Sequence, residues 1–213
     1  MSKKVKNIKL IPIKVILVGD SGVGKTSMIS RYLNQFRQNI DSTITTSYYN
    51  KTEIINGYEL NFQIWDTVGQ EQYRSLNSLF FKDAQICLMV YDITREESFN
   101  SIKEYWYEAI LSNGLEGVIL GVAGNKNDLY MNEKVDKQEV RDFCKEINAT
   151  FRFTSALQNT CIEELFKELG ENFVKSDFMK EIGPEYFDKN SRNNSFQLEN
   201  IEKEKPKKKC CIK

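Results

Sequence analysis

Leu17-Val18-Gly19-Asp20-Ser21-Gly22-Val23-Gly24-Lys25-Thr26-Ser27-Met28 is the stretch that decides how this chain is read. The apolar run from Lys9 to Val18 reads as a buried strand, and Lys25 to Asn34 reads as a helix. The glycine-rich segment therefore closes a strand and opens a helix, which is the context a phosphate-binding loop requires. Its glycines let backbone N–H groups of Ser21, Gly22, Val23 and Gly24 turn inward around phosphate oxygens, and a helix N-terminus adds a field that favours anions. Lys25 places a positive charge on the outer phosphates. The Thr26 hydroxyl suits Mg²⁺.

Working outward, apolar runs alternate with amphipathic ones. Tyr48 to Ile55 and Leu60 to Asp66 read as two strands joined by the Asn56–Gly57 turn signal. Ala84 to Asp92 is a further apolar run, Ser98 to Leu111 is helical, and Val118 to Asn125 is a strand. Asp136 to Ile147 is helical, and Thr150 to Thr154 is a short strand. A last helix over Cys161 to Ser176 has Ile162, Leu165, Phe166, Leu169 and Phe173 on one face. This order predicts an α/β fold of the P-loop NTPase type: a six-stranded, mostly parallel sheet with one antiparallel edge strand and helices on both faces. Ligands in such sheets sit beyond the carboxyl ends of the strands. Residues 10–176 make the domain. From Asp177 the periodicity fades, Asn, Lys and Glu dominate, and residues 177–213 read as a flexible tail.

Composition narrows the chemistry. The chain has 213 residues, 40% hydrophobic, with formal net charge +0, so bulk electrostatics do not point to nucleic acid. It contains no histidine, which removes a histidine base, a Ser/His/Asp triad and most zinc sites. Cys87, Cys144 and Cys161 lie in apolar contexts and read as buried thiols, with no disulfide or metal spacing. No signal peptide or membrane-length apolar run is evident, and Ser2 argues against N-myristoylation. A cytoplasmic protein, held at a membrane only through its tail, is expected.

Two further constellations follow the loop. Asp66 ends an apolar strand, where a carboxylate holds Mg²⁺ through water. Gly69 allows a backbone N–H to approach a terminal phosphate, and Gln70 is placed to orient an attacking water. Asn125-Lys126-Asn127-Asp128 ends a later strand. The Asp128 carboxylate can accept two hydrogen bonds from guanine, a donor pair that adenine lacks. Asn125 ties this loop to the phosphate loop, and the Lys126 stem covers the base. Thr154-Ser155-Ala156 offers the amides of Ser155 and Ala156 to the guanine O6; taken alone it is a generic turn.

At the far end, Lys203, Lys205, Lys207, Lys208 and Lys209 precede Cys210 and Cys211. An adjacent exposed cysteine pair behind a basic patch reads as a lipidation site, since two anchoring signals hold a protein stably on a membrane.

Together these residues resemble the Ras superfamily of small GTPases, and within it the Rab family, over about residues 10 to 175. Gln63-Ile64-Trp65-Asp66, Tyr73-Arg74-Ser75-Leu76 and Val90-Tyr91-Asp92-Ile93-Thr94 carry the Rab likeness, as does the doubled cysteine; similarity to the endosomal branch is suggested. The resemblance implies a GTP/GDP switch that hydrolyses GTP and recruits effectors in vesicle trafficking. It makes Thr43 a ligand of Mg²⁺ and the terminal phosphate, sets Phe36 against the guanine, and assembles Tyr48, Trp65 and Tyr73 as an effector-binding cluster. It implies Gln70 and Lys25 as catalytic groups, and prenylation of Cys210 and Cys211. Expected partners are an exchange factor, an activating protein, effectors, a Rab escort protein and a GDP dissociation inhibitor, on the cytosolic face of an intracellular membrane. Thr45 and Val68 depart from the usual glycine and alanine of the family. No internal arginine finger is evident, so slow intrinsic turnover is implied. Competing readings are a P-loop phosphotransferase, which would need an acceptor pocket and an arginine-bearing lid, and a pseudo-GTPase binding module with little hydrolysis.

Overall fold

The computed structural model describes residues 10–36, 47–66, 81–113 and 117–182. Strand β1 (Leu10–Val18) leads through the Gly19–Gly24 loop into α1 (Lys25–Tyr32). Strands β2 (Ser47–Ile55) and β3 (Tyr58–Asp66) form a hairpin closed at Ile55↔Tyr58. Asn56 (φ 50°) and Gly57 (φ 82°) both have positive φ, as a two-residue turn matched to strand twist demands. Then come β4 (Ile86–Asp92) and one helical rod built of α2 (Glu96–Ser101), a π-helical turn (Ile102–Trp106) and α3 (Tyr107–Asn113). Strand β5 (Ile119–Asn125) is followed by a 3₁₀ turn (Asn127–Asn132), α4 (Lys137–Glu146), β6 (Thr150–Phe153), α5 (Ile162–Lys175) and α6 (Asp177–Ile182).

The six strands run in the order β2-β3-β1-β4-β5-β6. All neighbours pair in parallel except β2 with β3, so the antiparallel strand stands at the edge, as the tight hairpin predicts. Parallel central strands are covered on both faces and lose the polar alternation of a one-sided sheet. Every residue of β4 is buried. Two apolar clusters result. One joins Ile11, Ile13, Val15 and Leu17 of β1 to α1 and α5; the other joins Ile16 and Val18 to the α2–α3 rod and α4.

The first cluster fixes the helix that carries the phosphate loop. Tyr32 at the end of α1 stacks on Phe166 of α5 with centroids 3.9 Å apart, and Phe62 of β3 meets both rings edge-on at 6.3 and 6.4 Å. Such pairs add roughly 0.5–1.5 kcal/mol each beyond the area they bury. Because β1 and β3 to β6 are parallel, their carboxyl ends share one edge of the sheet. The Gly19–Thr26 loop, Asp66, Asp92, Asn125 and the Thr154–Ala156 turn all collect there.

One expectation is corrected. Cys87 and Cys144 are buried, but Cys161 is exposed. It caps α5 in a left-handed conformation (φ 57°), and the buried face begins one residue later at Ile162. Past the boundary read at Asp177 the described residues add one short helix, α6. Its Met179 is buried against the first cluster, one apolar contact being too little signal to read as a helix face.

Candidate functional site

The loop after β1 needs glycine at two positions for steric reasons. A Cβ on Gly19 (φ 140°) would stand 2.1 Å from the Val90 carbonyl oxygen of β4. A Cβ on Gly24 (φ 99°) would stand 2.4 Å from Asn125 Nδ2. That second approach is what lets the Asn125 amide donate to the Val23 carbonyl oxygen at 2.8 Å. The predicted tie between the two loops is therefore present, and both partners are buried.

Lys25 is 5% exposed. Its ammonium donates to the carbonyl oxygens of Gly19 (2.7 Å) and Asp20 (3.0 Å). Burial lowers its pKa to about 8, against the pull of Asp66 and Asp20 and with a small push from Arg95. Ser21 and Gly22 are exposed at the lip of the loop, and Val23 is buried beneath it. Thr26 in the first turn of α1 donates its hydroxyl to Asp66 Oδ2 at 2.6 Å. The register Leu17↔Asp66 between β1 and β3 sets that distance.

Asp66 is fully buried. Its Oδ1 has no hydrogen-bond partner among the described residues. Burial raises the carboxyl pKa, only partly offset by Thr26 and Lys25. An enclosed carboxylate oxygen with a hydroxyl beside it is a donor set for a hard divalent cation such as Mg²⁺.

The residues expected to read a base converge at the ends of β5 and β6. Asn125 Oδ1 accepts from Thr154 Oγ1 and from the Ala156 amide, both at 3.3 Å. Ser155 Oγ donates to Asp128 Oδ1 in a short contact and also accepts from the Gln158 amide. Lys126 adopts a left-handed backbone (φ 64°), a strained choice that clusters at functional sites. Its Nζ lies 2.7 Å from Asp92 Oδ2. Burial alone would raise the Asp92 pKa, but the Lys126 ammonium and the Thr94 amide and hydroxyl outweigh it and hold the carboxyl below its usual value.

Three contributors were not singled out from sequence. Arg31 of α1 donates Nε to the Ala156 carbonyl (2.8 Å) and a terminal nitrogen to that of Leu157 (2.9 Å), while its guanidinium lies 3.6 Å from the Phe36 ring centroid. Phe36 thus stands beside the 155–157 turn and packs partly on the first cluster. Asp92 orients Lys126. Trp106 donates Nε1 to Asp20 Oδ1 at 3.1 Å. Only Asp92 left a sequence signal, as a carboxylate ending an apolar strand like Asp66.

Of the aromatic trio, Tyr48 and Trp65 face each other across the β2–β3 pair, edge to face at 5.1 Å. Thr43, Thr45, Val68, Gly69, Gln70, Tyr73, Cys210 and Cys211 lie outside the described residues.

A phosphate loop, a buried carboxylate–hydroxyl pair and a carboxylate-bearing base loop on one sheet edge define the class of P-loop guanine-nucleotide proteins. The family model for the Ras family matches residues 14–175. The chain is 34% identical over 200 residues to human Ras-related protein Rab-22A, covering 93% of this chain and 97% of that protein. It is 36% identical over 162 residues to Ras-related protein RabJ of Dictyostelium discoideum, 76% of this chain but 63% of RabJ. With Ras-related protein RABF2b of Arabidopsis thaliana it shares 34% over 168 residues, 78% of this chain and 84% of that one. The chain belongs to the Ras family and is a Rab-type small GTPase, an enzyme that binds GTP and GDP and hydrolyses GTP to GDP and phosphate.

Proposed function

We propose that the chain is a GTP/GDP-regulated switch in intracellular vesicle trafficking, working on the cytosolic face of an endosomal-type membrane. The observation that carries this is the Asn125–Val23 hydrogen bond, which makes one unit of the loop suited to phosphates and the loop suited to guanine. In this reading the amides of Ser21 to Gly24 and the Lys25 ammonium hold the phosphates. Asp128 accepts from the guanine edge, Ser155 and Ala156 face its O6, Lys126 covers one side, and Phe36 stands against it. Thr26, Thr43 and Asp66 (through water) hold Mg²⁺, which when bound supplies charge neutralisation between the outer phosphates.

Gln70 orients the attacking water, and Lys25 stabilises charge developing on the transferred phosphoryl group. Thr43 and Gly69 sense the terminal phosphate, so the segments that carry them rearrange after hydrolysis. Effectors read that difference through Tyr48, Trp65 and Tyr73. Intrinsic hydrolysis is slow, and an activating protein supplying an arginine accelerates it by roughly 10³–10⁵. An exchange factor releases GDP. Cys210 and Cys211 are prenylated with the help of a Rab escort protein, a GDP dissociation inhibitor extracts the lipidated form, and the lysines from 203 to 209 add attraction to an anionic surface.

Competition binding with fluorescent GDP tests the site. Wild type should prefer GDP over ADP by orders of magnitude, and Asp128→Ala should abolish most of that preference while the chain stays folded. Equal affinity of wild type for the two nucleotides would remove the reading.

A further inference from the structure

A cation and an indole from the β4–α3 segment reach the outer side of the phosphate loop. Arg95 donates a terminal guanidinium nitrogen to the Ser21 carbonyl oxygen at 3.0 Å, across 74 positions of sequence. Trp106 donates Nε1 to Asp20 Oδ1 at 3.1 Å. Both grip adjacent residues of one turn. We propose that Arg95, assisted by Trp106, is a positioning residue for the phosphate loop, and that it aims the Gly22 amide at the bound phosphates. The inference rests on the reading of Ser21–Thr26 as the phosphate site and adds to it the group that sets its geometry.

The reason lies in the planarity of the peptide unit. The Ser21 C=O and the Gly22 N–H belong to one trans peptide plane and point in opposite directions. A guanidinium that fixes the carbonyl on the outside therefore fixes the amide on the inside. Gly22 needs such a brace, because a glycine at φ 76° has no side chain to anchor it and a Cβ there would meet nothing within 4 Å. Packing does not hold Gly22 itself, although Val23 beside it is buried.

Arg95 is itself well rooted. Its amide donates to the Asp92 carbonyl at 3.0 Å, and its own carbonyl accepts from Ser98 Oγ at 2.6 Å. Its Nε stands 3.8 Å from Asp92 Oδ2, the oxygen that Lys126 also meets at 2.7 Å. An ion pair at that distance on a side chain 43% exposed contributes little by itself, so the directed contact to Ser21 is the informative one. Trp106 is 2% exposed and ends the π-helical turn. A π turn takes in an extra residue and resets the rotation of the helix beyond it, a feature frequent at functional sites.

Phosphorus NMR of bound GDP, with GDP dissociation measured alongside, tests this on wild type, Arg95→Ala, Arg95→Lys and Trp106→Phe. In Arg95→Ala the β-phosphate resonance should move while the α resonance stays, and GDP should leave roughly 5–10-fold faster, as expected for losing a half-exposed charged hydrogen bond. Arg95→Lys should restore part of both, and Trp106→Phe should move the β resonance in the same direction. An unmoved β resonance with wild-type dissociation in Arg95→Ala overturns the inference. So does a parallel shift of α and β, which marks a general loosening of the fold. If Arg95→Ala does not fold, an unmoved β resonance in both Arg95→Lys and Trp106→Phe overturns it equally. Failure of wild type to bind GDP would instead strike the phosphate-site reading itself.

Discussion

Asn125 and Val23 stand 102 positions apart and are joined by a buried hydrogen bond of 2.8 Å from the Asn125 side-chain amide to the Val23 carbonyl. Asn125 also accepts from Thr154 and Ala156 through its other side-chain atom. One amide therefore fastens three loops that come from three different strands. Under the proposed function this fastening would couple affinity for phosphate to affinity for the base.

Asn125→Ala should lower GTP and GDP affinity together. A buried carbonyl and two donors lose their partner, and leaving such groups unpaired costs about 1–3 kcal/mol each. Dissociation of fluorescent GDP should accelerate by at least tenfold, with the midpoint of urea unfolding also reduced. Unchanged dissociation would show that the tie does not couple the loops.

Gly24→Ala should be worse than its single methyl suggests. The added carbon enters the space of Asn125 Nδ2 at 2.4 Å, and the φ of 99° is itself unfavourable for an L-residue. The substitution should cost about 1–3 kcal/mol and break the Asn125–Val23 bond. Because the breaking is shared, Gly24→Ala and Asn125→Ala should be strongly non-additive in a double-mutant cycle on GDP affinity.

Lys25 makes the nucleotide-free protein pH-sensitive. Its folded pKa is lowered to about 8 by burial, from 10.5. Between these values the unfolded chain binds more protons than the folded one, so stability should rise with pH across that window. Below about pH 8 the full burial penalty is present and the slope from this group vanishes. Urea midpoints of nucleotide-free wild type minus Lys25→Met, scanned from about pH 7 to about pH 10, should show this rise. A flat difference would mean the ammonium is not desolvated.

Asp66→Ala should remove the effect of Mg²⁺ on nucleotide retention. In wild type, chelating Mg²⁺ should speed GDP release by at least tenfold, since the enclosed Asp66 carboxylate loses the charge that compensates it. In Asp66→Ala chelation should change release by less than about twofold. Thr26→Ala, which loses the hydroxyl 2.6 Å from Asp66, should fall between them. A full chelation response in Asp66→Ala would place the cation elsewhere.

Much of this was legible along the chain because its signals are local. Periodicity and the Asn56–Gly57 turn gave the strands to within a residue or two, and Gly19–Thr26 announced its own conformation, since a tight loop between strand and helix admits few residue types. Asp66 was readable because it ends an apolar run, and Asp128 because it closes the Asn125-Lys126-Asn127-Asp128 segment that follows one. Arg31, Arg95 and Trp106 were not. Each is an ordinary residue on a helix or its cap, and nothing in its neighbourhood says that it meets a carbonyl or carboxylate 74 to 126 positions away. Cys161 was misplaced for the related reason that a sequence window cannot separate the last cap residue from the first core residue.

The amino-acid order alone thus determined which segments become strands and helices, where the phosphate loop lies and where the carboxylate-bearing Asn125–Asp128 loop follows its strand. Those follow from backbone sterics and side-chain periodicity, which act over a few residues. Tertiary structure alone decided how the loops are fastened beyond the expected Asn125 tie: Lys126 on Asp92, Arg95 on Ser21, Arg31 on the Ala156 and Leu157 carbonyls. Parallel strands bring their carboxyl ends to one edge whatever their separation in sequence, and there donors and acceptors that are distant in the chain, 102 positions for Asn125 and Val23 and 74 for Arg95 and Ser21, come within hydrogen-bond distance.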